Sequence, residues 1–137
     1  MNSNTLEAAN LLKSGSYTCL LYRGEATYTS TERGVKPLIN WLDSGKNFKG
    51  YCAADKIVGK AAAMLYLLLG VSEVYAPVMS EAAQYTLAKN GVVPYCGQSV
   101  KKIMNRLGTG NCPMEDAVEN LEIPEEAYRA LKKAVFH

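Results

Sequence analysis

Apolar positions along the chain recur in two rhythms, one near every third or fourth residue and one near every second. Thr5 to Lys13 carries Leu6, Ala9 and Leu12 at helical spacing, with Thr5 as a cap and Gly15 as a stop. Tyr17 to Tyr22 is rich in aromatic and β-branched residues, which predicts a strand. Arg23-Gly24 marks a turn, so Glu25 to Thr29 is expected to return antiparallel as a hairpin. Gly34 and Pro37 open a helix through Leu42, with Leu38 and Trp41 facing a core and Asp43-Ser44-Gly45 closing it. Phe48 to Ala54 reads as a third strand. Ile57 to Leu69 is apolar nearly all round, the pattern of a buried helix, and its Ala61-Ala62-Ala63 run allows close packing. Glu73 to Ala76 is a fourth strand, and Ser80 caps a helix through Lys89. Val92 to Tyr95 is a fifth strand, which Pro94 marks as an edge or a strand end. Val100 to Leu107 suits a helix, Gly108 to Asn111 a loop, and Pro113 to Asn120 and Pro124 to Val135 two proline-opened helices.

Strands alternating with helices imply an α/β chain. The expected architecture is a three-layer α/β/α sandwich around a mixed, partly parallel, five-stranded sheet. The 137 residues fit a single domain, 1–137, with no repeat or linker. The apolar stretch Ala61 to Val71 is far shorter than the ~20 residues a membrane span needs. Met1 to Leu12 has neither a basic start nor an apolar core of a signal peptide, so a cytoplasmic protein without membrane contact is expected.

Charge narrows the partners. Fifteen basic residues nearly balance thirteen acidic ones, and they are scattered, so a nucleic-acid partner is not expected. Cys19, Cys52, Cys96 and Cys112 form no C-x-x-C pair, and the sole histidine is the terminal His137. No metal and no cofactor is expected, and the thiols should be reduced.

Ligands of such sheets bind beyond the carboxyl ends of strands, near helix N-termini. Two junctions qualify. At the first, Asp55 and Lys56 lie at a strand-to-helix mouth, with Lys60 one turn into the helix, and the amides and lysines would favour an anion. The residues alone favour a plainer reading, with Asp55 as an N-cap and the lysines solvated. The Gly59-Lys60 pair is not a P-loop. At the second, Asn105, Arg106, Cys112 and Glu115 surround a loop and a helix start. Cys112 there could hold a thiolate, but no interior histidine supplies a base, which favours a structural or ligand-contact role. Glu115 suits the first helical turn as a dipole partner, and Asn105 and Arg106 suit either a site or a helix end. The run Ser30 to Gly34 places polar groups near the same sheet end, or is a plain loop. The tyrosines read first as packing.

Taken together, Ala54 to Ala63, Asn105-Arg106, Cys112-Pro113-Met114-Glu115 and the upstream Gly34-Val35-Lys36-Pro37-Leu38 resemble the bacterial domain-of-unknown-function family 1893, from about Tyr17 to Asn120. The resemblance implies a cytidine-deaminase-like fold, a mixed sheet between helices. Zinc deaminases place H-x-E at one helix start and P-C-x-x-C at the next. The matching stretches are taken as Ala53-Ala54-Asp55 and Pro77 to Glu81. Ala53, Val78 and Glu81 then stand where the ligands should be, and Asp55 in place of the acid/base glutamate. Without ligands there is no activated hydroxide.

Three functions follow. The first is a small-molecule or nucleotide-like ligand held at paired helix N-termini by Asp55, Lys56, Lys60, Glu81, Asn105, Arg106 and Glu115. The second is a metal-free enzyme using Cys112 or Asp55. The third is a non-catalytic homo-oligomeric assembly module.

Overall fold

Strand pairing organises the computed structural model, which describes residues 1–136; His137 lies outside the described residues. β1 (Cys19–Arg23) and β2 (Ala26–Ser30) form the expected hairpin. β1 also runs antiparallel to β3 (Cys52–Asp55), which is parallel to β5 (Glu73–Ser80). β4 (Ile57–Val58) resumes along the same edge of β5 that β3 leaves, pairing Ile57 with Val78 and Val58 with Met79. β6 (Val93–Val100) covers the other edge of β5 along its whole length. The sheet is mixed and has six strands among the described residues, not five.

The extra strand corrects the reading of Ile57 to Leu69 as one helix. Ile57 and Val58 satisfy their backbone against β5, and the helix α3 begins only at Lys60 (Lys60–Leu69). β-branched residues beside an open strand edge prefer the ladder. Gly70 ends α3 at φ 82°, a left-handed conformation that a glycine accepts without a Cβ clash.

Helices cover both faces. α1 (Ser3–Ser14) packs alone on one, where Ala8, Ala9 and Leu12 meet Leu20, Ala54 and Tyr75. Its cap is Asn2, not Thr5: the Asn2 side chain accepts from the Thr5 amide, and the buried Thr5 hydroxyl donates to Glu73 at 2.6 Å. That bond turns Thr5 inward and leaves Leu6 exposed, against the expected apolar face. On the other face lie α2 (Lys36–Asp43), α3, α4 (Glu81–Lys89), α5 (Pro113–Val118) and α6 (Pro124–Val135). Cys19, Leu21, Ala53, Val74 and Ala76 feed this larger core, with Met64, Leu65 and Tyr66 of α3 at its centre. α3 touches α2, α4, α5 and α6, and its three alanines permit that crowding. Tyr28 and Tyr51 pack edge-on against Phe48 or tilt toward each other, as packing residues.

No helix forms over Val100 to Leu107. β6 instead runs on to Val100, because Gln98, Ser99 and Val100 pair with Val78, Met79 and Ser80. The chain then turns back: Met104 bridges Asn111, and the Asn105 side chain accepts from the Thr109 amide. Among the described residues no helix is long and apolar enough to cross a membrane.

Leu65 is fully buried in α3. Leu65→Ala is expected to lower unfolding free energy by about 2–5 kcal/mol through the cavity it leaves, measured by urea denaturation.

Candidate functional site

The carboxyl end of β3 and the N-terminus of the antiparallel β1 lie side by side, with Cys19 directly opposite Asp55. Above this edge opens a cavity of about 810 Å³. Its wall combines both junctions singled out in the sequence. Asp55, Lys56 and Gly59 come from the first, and Asn105, Arg106, Cys112 and Glu115 from the second. Arg33 and Val35 close a third side, from the loop after β2. The volume lies within the ~300–1,000 Å³ usual for small-molecule sites.

Asp55 forms a polar part of this wall. It is the last residue of β3 rather than a helix cap, since α3 starts five residues later behind β4. Tyr66 of α3 donates its hydroxyl to Oδ2 at 2.8 Å, and the Ile57 amide donates to Oδ1 at 3.3 Å. Burial opposes ionisation and raises its pKa from 3.8 to about 7, although these hydrogen bonds favour the carboxylate. The carboxyl therefore holds its proton well above the usual carboxylate range. Burial, then the nearby Asp55, push the Cys19 thiol far up, so it stays protonated.

Glu115 has a structural task that its place in a helical first turn did not reveal. α3 has Gly59 at its N-cap, with no side chain to accept from the first amides. The Glu115 carboxylate supplies both acceptors, at 2.8 Å from the Lys60 amide and 2.9 Å from the Ala61 amide. It satisfies orphan donors and meets the positive end of the helix dipole. A Cβ on Gly59 would overlap that carboxylate.

A second, smaller cavity of about 220 Å³ lies between the starts of α3 and α4, lined by Lys60, Ser80, Lys101, Lys102 and Glu115 among others. Glu115 borders both cavities and so forms part of the partition between them. Lys60 belongs to this smaller space. Its ammonium donates to the Glu119 carbonyl at 3.1 Å and pairs with Glu122 at 3.4 Å. Glu81 is exposed in the first turn of α4 and lines neither cavity. Cys112 lines the large cavity, and its amide donates to Ile103; among the described residues its sulfur has no hydrogen-bond partner. Thr18 and Cys19, which line the large cavity, and Tyr66, which bonds Asp55, were not among the residues expected there. Arg33 lay inside the polar run Ser30 to Gly34, whereas nothing in the sequence marks Tyr66 as the partner of Asp55.

The zinc register needs the same correction. Ala53 to Asp55 are strand residues, so they are not the start of a helix. Pro77 and Val78 lie within β5, and α4 begins at Glu81. Among the described residues no cluster of three or more His, Cys, Asp or Glu is placed to hold a metal ion.

Two predictions arise here. Glu115→Ala should cost about 1–2 kcal/mol of stability through loss of the α3 cap. Gly59→Ala should cost a similar amount by displacing the same carboxylate, and the double variant should cost much less than the sum in a denaturation cycle. Additive losses would show that the two residues act separately. The second concerns Asp55. The fold raises the pKa of this acid, so folded protein holds the proton more strongly than unfolded chain. Its contribution is full below about pH 4, declines as pH rises towards about 7, and stays low above that. Asp55→Asn should flatten this decline and leave the protein more stable than wild type by up to a few kcal/mol above neutral pH, read from chemical denaturation across pH.

Comparison with known proteins places the chain among relatives of unassigned activity. No curated protein matches it. A DUF1893 family protein (TM1506) from Thermotoga maritima, solved by crystallography, is similar over 98% of this chain and 92% of its own, at 26% identity and a TM-score of 0.89. The family model described as domain of unknown function (DUF1893) matches residues 7–135. With nearly its whole length matched, the chain belongs to the DUF1893 family.

Proposed function

We propose that this protein binds a small polar molecule in the large cavity, on a deaminase-like scaffold that has no zinc site. One observation carries the reading: a single cavity gathers polar side chains from three distant stretches, around residues 33, 55 and 105–115. Convergence of distant polar groups on one apolar-walled cleft is the usual mark of a ligand site. A carboxyl that titrates near neutral pH strengthens it, because such groups cluster where chemistry or recognition occurs.

The scaffold reading is supported by a mixed sheet between helical layers, with helices starting after β4 and β5. Set on the helix starts, the H-x-E positions become Val58-Gly59-Lys60. The cysteine positions become Ser80, the α4 cap, and Ala83. None of Val58, Ser80 and Ala83 is a zinc ligand, so the corrected register reaches the same end as the first. A metal-activated hydroxide has no donors here, and a reaction in this cavity would fall to Asp55 as acid or base or to Cys112.

The test is a thermal-shift panel of nucleosides, nucleotides, sugar phosphates and small anions, with mass spectrometry of each incubation. At least one compound should raise Tm by several degrees at a hundredfold excess over its Kd. The shift should shrink in Asp55→Ala, each protein being compared with its own ligand-free state. A changed mass would make the protein an enzyme. A panel silent on both proteins would overturn the reading.

A further inference from the structure

Three cations stand at the large cavity, each from a different stretch of chain. Arg33 comes from the loop after β2, Lys56 from the break between β3 and β4, and Arg106 from the turn after β6. All three are exposed. Among the described residues none forms an ion pair, whereas Lys36, Lys60, Lys89 and Lys132 each have a carboxylate partner. The two acids on the same wall are already committed. Asp55 is bonded to Tyr66 and the Ile57 amide, and Glu115 is spent on the α3 amides. The cations on the wall therefore outnumber its carboxyl groups, and among the described residues no carboxylate is paired with any of the three.

We propose that the cavity binds a phosphate monoester, its phosphate at the rim among Arg33, Lys56 and Arg106 and the rest of the molecule reaching towards Asp55. This rests on the cavity being a ligand site. Guanidinium forks match the spread of phosphate oxygens, and a lysine adds a point charge. A phosphate dianion comes closer than a carboxylate to balancing three cations, and it offers acceptors in three directions. The apolar part of the lining includes Val35, Ala61, Ala62, Ile103 and Met114, and no aromatic side chain lines the cavity. The wall therefore offers apolar contact without a stacking face, and the phosphate and the Asp55 carboxyl supply the orientation.

Isothermal titration with matched pairs tests this: ribose phosphate against ribose, and cytidine monophosphate against cytidine, with inorganic phosphate alone as a further arm. The phosphorylated member should bind roughly tenfold or more tightly than its parent. That advantage should fall at high salt, since the cations are exposed. It should fall further in Arg33→Gln with Arg106→Gln, whose unliganded Tm should match wild type because both side chains are on the surface. A parent binding as well as its phosphate would overturn the phosphate assignment and leave the ligand site standing. Binding that is indifferent to the two arginines would also overturn it. If neither monoester nor inorganic phosphate binds, the assignment also fails, and the broader panel alone then decides whether the cavity is a ligand site at all.

Discussion

A helix that starts in the middle of a protein must have its first amides satisfied, and α3 cannot do this for itself. Gly59 has no side chain, and Gly59 and Ala61 are buried. The acceptor comes from Glu115, across 55 residues of sequence. Much of the site follows from that bond. α5 is fixed against α3, so the chain leaving β6 at Val100 must turn back within a few residues to reach it. The turn brings Met104, Asn105 and Arg106 over the carboxyl end of β3. Gly59 is held to glycine by the same contact, since any Cβ would take the space of the carboxylate.

The floor of the cavity depends on a second constraint, the interruption between β3 and β4. β5 is longer than β3, and its free edge beyond Tyr75 is filled by Ile57 and Val58 only after the chain steps out at Lys56. The Lys56 amide is not wasted at the step, for it donates to the Thr18 carbonyl at 3.0 Å. The step leaves Asp55 pointing into protein and Lys56 into solvent. An ionised carboxylate in that position would be costly, and the protein meets the cost partly with two hydrogen bonds and partly by retaining the proton. One residue boundary thus separates a buried carboxyl of raised pKa from an exposed, charged rim.

The alternation of strands and helices, the hairpin and both proline-opened helices were legible because each is a local pattern. Apart from the local Asn2 cap, the failures share a cause: each turned on a partner distant in sequence. Ile57-Val58 is a strand because β5 offers an edge. Val100 ends a strand because Ser80 lies opposite, and Thr5 is buried because Glu73 accepts its hydroxyl. The site was legible in the same uneven way. Asp55, Arg106 and Glu115 could be noticed as polar residues at element ends. That Glu115 caps a helix and that Tyr66 reaches Asp55 are facts of packing, with no trace in spacing, whereas Arg33 lay in a polar run already expected near the same sheet end.

The cap also limits what the cavity can recognise. In many α/β proteins the amides at a helix N-terminus receive the anion of the ligand. Here the protein's own carboxylate already holds the Lys60 and Ala61 amides. A ligand anion would have to displace it and lose the clasp between α3 and α5. The helix start is therefore closed to a negative ligand, although it lies at the cavity wall. Positive charge that remains available is carried by side chains at the rim, on loops rather than on the helix. On the proposed reading, recognition of charge would fall to Arg33, Lys56 and Arg106 rather than to the backbone dipole, exposed groups that salt screens more readily than buried amides.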